Sequence, residues 1–370
     1  MGLRITKRNH CPLWQKIVFY AAAIVIALLI GAVILISIGV NPLDYYYQMF
    51  TMGTVGNRIG YKTFMNYLND FVPLALTAVA LSLAFKMKFW NIGGEGQFIM
   101  GAIGAATVAF QVGPYTPMWI TLILMCLAAM LLAGLYGLLA AWLKVKFNTN
   151  ETLMTLMLNY VALYILTFIA DTKADWNFFL QEQSTRPVFK DFSEFAAFPA
   201  IPTGGKFELN ICVILTLIIG ALVYIYLKYT KHGYEIGVIG DSANTARYAG
   251  MKVNRIVLRT VFFSAALIGL AAAFKVGTTG VLSTTITNDV GWTGIIVAWL
   301  AQLSTPIIFV ASALISILGC GCTEANASFG QVSADFADIL QGAILFLVLV
   351  ADFFTRFAIT RTKKGGKVNG

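Results

Sequence analysis

The sequence predicts an all-α polytopic membrane protein with about ten transmembrane helices, eight at the fewest, and both termini cytoplasmic. Three observations predict it. Of 370 residues, 58% are hydrophobic and 12% charged, with a mean hydropathy of +0.77, whereas a soluble domain carries roughly a quarter charged residues. Several apolar runs approach the ~20 residues that a spanning helix needs. The Lys and Arg, in a chain of net charge +9, gather in alternate connections, as the positive-inside rule requires. A soluble enzyme with an unusually apolar core is excluded, because so few polar residues cannot cover its surface. The basic excess is therefore read as cytoplasmic loops beside membrane lipid, with no nucleic acid implied.

Residues 1–16 hold Arg4, Lys7, Arg8 and Lys16 without an acid and form a cytoplasmic N-terminal segment. The transmembrane domain follows, over 17–355. Its first span, 17–40, is too long for a signal-peptide core and lacks a small-residue cleavage site, so it is retained. An outer loop, 41–70, carries Tyr45, Tyr46 and Tyr47, residues suited to a membrane interface. The second span, 71–85, returns to Lys86 and Lys88. The third (92–110) and fourth (118–143) are joined by the Gly113-Pro114 turn, and Lys144 and Lys146 mark the next inner end. The fifth span covers 151–170. An acid-rich extracytoplasmic loop, 171–208, leads to the sixth, 209–227. The most basic cytoplasmic loop, 229–258, leads to the seventh, 260–276, in which Lys275 is expected to snorkel to the outer interface.

After an outer turn at 277–289 come two shorter runs, 290–303 and 307–319, parted by Thr305-Pro306. Ten crossings count each run as a span; eight count them as one re-entrant pair. The last span is 336–355, and 356–370 is a basic cytoplasmic tail. Gly101, Gly104, Gly134, Gly137 and Gly269 lie inside spans, where small residues let helix backbones approach. The five cysteines, Cys11, Cys126, Cys212, Cys320 and Cys322, are packing residues, since no pair has metal-site or disulfide-framework spacing.

Two groups of polar residues stand out in the spans. Asn91, Glu95 and Gln97 open the third. Asn91 and Glu95 are four apart and would share a helix face, and an acid within a span is a functional candidate by default. Capping of a helix start by Glu95 is the alternative. Glu151, Thr155 and Asn159 form a stripe at i, i+4 and i+8 on the fifth span, which either lines a path or joins helices. In the inner loop, Asp241-Ser242 can cap a short helix over 243–249 that Gly250 ends. Such a helix is a docking element, since a plain connector needs far less chain. No P-loop and no nucleophile–base pair is present, so the chain is read as a non-enzyme without a metal site.

Three stretches then resemble a known family. Asn91-Ile-Gly-Gly-Glu-Gly-Gln97 is similar to the signature of membrane permeases from ABC importers of nucleosides and simple sugars. Asn150-Glu-Thr-Leu-Met-Thr-Leu-Met-Leu-Asn-Tyr160 resembles a second segment of that group. Gly240-Asp-Ser-Ala-Asn-Thr-Ala-Arg-Tyr-Ala-Gly250 resembles its coupling loop, although Asp241-Ser242 replaces the usual Glu-Asn and Thr245 an alanine. The family is related to ribose-type and branched-chain-amino-acid permeases.

The resemblance implies a multi-pass protein of the bacterial cytoplasmic membrane that imports a nucleoside by alternating access. A ribose, other sugar or riboflavin permease is the nearest alternative, and an ion-coupled secondary transporter the rival class. It implies a substrate path at Asn91, Glu95, Gln97, Glu151, Thr155 and Asn159, and ATPase coupling at Gly240, Asp241, Asn244, Ala246, Arg247 and Gly250. The partners implied are a cytoplasmic ATP-binding-cassette ATPase, an extracytoplasmic substrate-binding (lipo)protein and a second permease chain, expected to form a heterodimer. The chain itself would bind no cofactor, ATP being used by the partner.

Overall fold

The structure, a computed structural model, describes residues 2–7, 12–55, 60–202, 207–333 and 335–362. Cys11 and the tail beyond 362 lie outside them. The order is β1 (Gly2–Lys7), α1 (Leu13–Ile38), α2 (Pro42–Thr51), α3 (Gly60–Lys86), α4 (Gly94–Gln111), α5 (Met118–Phe147), α6 (Glu151–Asp171), β2 (Ala200–Pro202), β3 (Glu208–Asn210), α7 (Ile211–Tyr229), α8 (Lys231–Asp241), α9 (Ala243–Tyr248), α10 (Val253–Thr279), α11 (Val290–Leu300), α12 (Thr305–Phe329), α13 (Phe336–Arg356) and β4 (Phe357–Thr362). Among the described residues nine helices are long and apolar enough to cross a membrane: α1, α3, α4, α5, α6, α7, α10, α12 and α13. The protein is a polytopic α-helical membrane protein.

One expected span is corrected. The run 290–303 forms only α11, of 11 residues, which at ~1.5 Å per residue is about half the ~30 Å hydrocarbon thickness. The run after it extends instead, to the 25 residues of α12.

The chain forms two compact units, Met1–Asn57 with Ile317–Gly370, and Arg58–Ser316. In the first, α1 packs on α13, and β1 pairs antiparallel with β4. Tyr45 does not anchor a membrane interface. It is fully buried, its hydroxyl donates to Asn326 at 2.6 Å, and its ring meets Phe329 and Phe336 at 5.7 and 5.3 Å.

The second unit is built around α10, which packs on α5, α4 and α3. Small residues permit this. A Cβ on Gly101 would stand 2.6 Å from the Cα of Gly269, and one on Gly269 would strike the Ala129 carbonyl. Lipid offers no hydrophobic drive for association, so helices here are held by close van der Waals contact. Gly269→Val is therefore expected to part α10 from α5, with folded protein recovered from the membrane falling about fivefold or more, as 2 kcal/mol of overpacking would produce. Lys275 does not snorkel; it pairs with Asp70 of α3 at 2.6 Å.

Candidate functional site

The first turn of α4 and the first turn of α11 meet inside the second unit. The chain leaves α3 at Lys86 and runs without helix to Gly93, so Asn91 and Glu95 do not share a helix face. Asn91 lies in the bend before α4. Its carboxamide pairs reciprocally with that of Gln97, at 3.1 and 3.0 Å, and also accepts the Gly93 N–H at 3.1 Å.

Helix α6 grips the same bend. The Thr155 hydroxyl accepts the Ile92 N–H at 3.1 Å. One turn on, Asn159 accepts the Gly96 N–H at 2.8 Å and donates to the Ile92 carbonyl at 2.9 Å. The Gly96 amide is one of the N–H groups that a helix start leaves without an internal partner. Three of the polar side chains singled out in the sequence, Asn91, Thr155 and Asn159, thus hold the backbone of the bend, and Gln97 holds Asn91.

Glu95 has a different task. Its carboxylate accepts the Gly291 N–H at 2.8 Å, with Thr287 and Trp292 as near neighbours. Gly291 and Trp292 lie in the first turn of α11, so Glu95 caps that helix from another. Both helix dipoles point their positive ends at this carboxylate. The contact requires glycine at 291, because a Cβ there would run into the backbone of Glu95. Trp90 stacks on Trp299 at 5.2 Å, eight residues along α11 from Gly291. At ~1.5 Å per residue, Glu95 lies about 12 Å from the level of the tryptophans. Glu95 is buried, and helix N-termini that converge inside a bundle usually mark a binding region in transporters.

A cavity of about 320 Å³ opens beside this junction. Glu95 and Asn159 face it; Asn91, Gln97 and Thr155 do not line it. Glu151 stands apart from it, at the start of α6, paired to Lys144 at 2.9 Å. The other polar walls are Thr284, Thr285, Thr287, Asn288 and Asp289, and the apolar ones include Tyr160, Leu163 and Trp292. No lysine, arginine or histidine lines it. The 284–289 stretch, read from sequence as an outer turn, is a wall of the site. Its signal was a run of hydroxyl, amide and acid groups against a glycine. Asn288 and Asp289 both have left-handed backbone, at φ 43 and 56.

The inner loop forms as the spacing predicts. Thr230 caps α8, and the Ser242 hydroxyl caps α9 by accepting the Thr245 N–H at 3.2 Å. Gly250 follows at φ +77. Asp241, Asn244, Arg247 and Gly250 are exposed. Gly240 sits against the Lys86 carbonyl. Ala246 is fully buried among Phe89, Ile236 and Val253, so it holds α9 in place and offers no surface to a partner. Arg259 of α10 bonds Glu235 of α8 at 2.9 Å. Burial opposes ionisation of Glu235, but the Arg259 hydrogen bond and His232 outweigh it and hold the carboxyl below its ordinary range. That contribution to the α8 attachment is complete at neutral pH and is lost only in acid, as pH falls through the lowered value.

The family model described as branched-chain amino acid transport system / permease component matches residues 63–349. The chain belongs to this family. The permease is 27% identical over 366 residues to a glucose ABC transporter permease protein of Haloferax volcanii, covering 96% of this chain and 93% of that one. It is 26% identical to a nucleoside ABC transporter permease protein of Lactococcus lactis, covering 91% of each. It is also 26% identical to a guanosine ABC transporter permease protein of Bacillus subtilis, covering 93% of this chain and 96% of that one. The permease is thus a multi-pass membrane transport component, and the relatives it resembles are ABC transporter permeases for a sugar and for nucleosides, a class that works with an ATPase partner.

Proposed function

We propose that the permease carries a nucleoside inward by alternating access, through a path that passes the Glu95 cavity. The observation behind this reading is the make-up of that cavity. Its size lies at the lower end of small-molecule sites, roughly 300–1,000 Å³. It sets aromatic and aliphatic walls at Trp292, Tyr160 and Leu163 beside carboxylate, amide and hydroxyl groups, without a cation. A neutral ligand with an aromatic base and a hydroxylated sugar matches both kinds of wall. The nucleoside and guanosine permeases among the relatives support the same reading.

A sugar without a base is the second reading, favoured by the hydroxyl-rich 284–288 wall and by the glucose relative. Binding of guanosine, uridine, ribose, glucose and riboflavin to the cognate extracytoplasmic protein separates the two. Nucleoside binding is the expected result; binding of ribose or glucose alone would replace the first reading with the second.

The polar walls open beside Tyr160 and Leu163 on the outward face of α6. Carboxylates and amides at that depth are not tolerated against lipid, so a second permease chain would cover this face and complete the path. The ATPase would dock on the outer surface of α9, where Tyr248 is 93% exposed beside Arg247. Tyrosine and arginine are the residue types that most often dominate interfaces. Tyr248→Ala with Arg247→Glu is expected to lower ATPase recovered with the purified permease at least about tenfold, with the permease still folded, since both side chains point outward. Unchanged co-purification would remove α9 from the docking surface.

A further inference from the structure

We propose that Asp289 is the group that reads substrate hydroxyls, so that it, and not Glu95, sets the specificity of the permease for a neutral compound with a free diol. This rests on the cavity being the substrate path.

The two carboxylates at the cavity differ in what they are already doing. Asp289 occupies the N-cap position of α11, and aspartate is among the best capping residues. Its side chain nevertheless makes no capping hydrogen bond, and its backbone is left-handed at φ 56, ψ 21 instead of extended. Asn288 before it is left-handed as well, at φ 43. Side-chain-bearing residues enter this region at a conformational penalty, and such penalties gather where function needs the geometry. Here the result is that the side chains of Asn288 and Asp289 stand exposed at the cavity instead of turning back onto the helix.

Capping of α11 has passed to Glu95, across from α4. An ionised carboxylate offers about four acceptor positions. The Gly291 N–H donates to that of Glu95 at 2.8 Å, and Glu95 is buried whereas Asp289 is exposed, which leaves Glu95 less to offer a ligand. The acceptor capacity of Asp289 remains for the cavity. A carboxylate receiving two hydroxyl protons from neighbouring carbons makes paired, charge-assisted hydrogen bonds. Trp292, one turn along α11 from Asp289, supplies an apolar face beside them. With two acidic side chains and no cation in the wall, nothing in the cavity balances the charge of a phosphate ester of the same compound. The ligand class is therefore the unphosphorylated diol.

The test uses the complete transporter, with its ATPase, partner permease and binding protein, in proteoliposomes. Uptake of guanosine and of 2′-deoxyguanosine is compared between the wild type and each variant. Selection by the binding protein is common to both and cancels in the variant-to-wild-type ratio. Asp289→Asn is expected to lower guanosine uptake about tenfold, the worth of a charge-assisted hydrogen bond, and to lower uptake of the deoxy compound less than about twofold. Asp289→Glu keeps the carboxylate and should retain the preference for guanosine. Glu95→Gln should lower both uptakes by the same factor, since it loosens the site without touching the hydroxyls. Equal loss of both substrates in Asp289→Asn, or no loss of either, would overturn the assignment. If the wild type carries ribose or glucose instead of guanosine, that sugar and its 2-deoxy form replace the pair, and the same outcomes apply. A wild-type complex that carries none of these fails the underlying reading, whatever Asp289 does.

Discussion

Gly291→Ala is expected to reduce uptake by about a hundredfold or more, because displacement of a binding group by ~1 Å commonly has that effect. The added methyl would overlap the Glu95 backbone and stand 2.5 Å from its carboxylate oxygen. Neither neighbour is the free end of a flexible chain. One is main chain at a helix start, and the other is fixed by its bond to the Gly291 amide itself. The two helices must therefore separate, and Glu95 must give up its role as the cap of α11. Gly294→Ala, one turn further on, supplies the contrast. Its methyl would meet the Thr77 methyl at 3.0 Å and Leu81 at 3.5 Å, side-chain atoms that can yield, and uptake should stay within a few fold of the wild type. If both variants transport equally well, the Glu95–Gly291 junction is not part of the working site.

The second large effect is expected at Asn159. Alanine there would leave the buried Gly96 N–H and the part-buried Ile92 carbonyl without their side-chain partner. Each orphaned group costs about 1–3 kcal/mol. The purified protein should unfold at a measurably lower temperature, and uptake should fall with it as the bend loosens. Asn159→Asp separates the two bonds, keeping the acceptor for Gly96 and losing the donor to Ile92. It should lie between the wild type and Asn159→Ala in stability. Equal unfolding temperatures and uptake for wild type and Asn159→Ala would show that Thr155 and the Asn91–Gln97 pair hold the bend unaided.

Much of the fold was legible in the sequence because lipid imposes a length and a composition on every spanning helix. Six of the nine long helices coincide with expected spans to within four residues at each end; α3 and α10 start eleven and seven residues before theirs, in stretches read as loops, and α12 reaches ten residues further than its apolar run. The exception among the runs, α11, is as apolar as a full span but too short, and hydropathy alone does not register where an apolar run stops being helix. The coupling loop was legible to within a residue, since Ser242 and Gly250 carry local rules for starting and ending a helix. Ala246 was misplaced for a related reason: a small residue in a short helix can face either way, and only its neighbours decide.

The site was legible in part. The stripe Thr155–Asn159 announced a polar helix face, but its partners lie over sixty residues earlier in the chain. The three glycines before Gln97 signalled an irregular start, which is why Asn91 and Glu95 part company. Nothing local tied Glu95 to Gly291, about two hundred residues away, and so the 284–289 stretch looked like any polar turn.

The grip of α6 on the bend has a mechanical consequence. Thr155 and Asn159 are one turn apart on a single helix, and together they hold the Ile92 amide, the Ile92 carbonyl and the Gly96 amide. A rigid helix with two such anchor points cannot turn about its axis or slide without dragging the first turn of α4 along. The bend is thus a passenger of α6. Any force applied to the outward face of that helix would arrive at Glu95 as a displacement, with no hinge in between to absorb it.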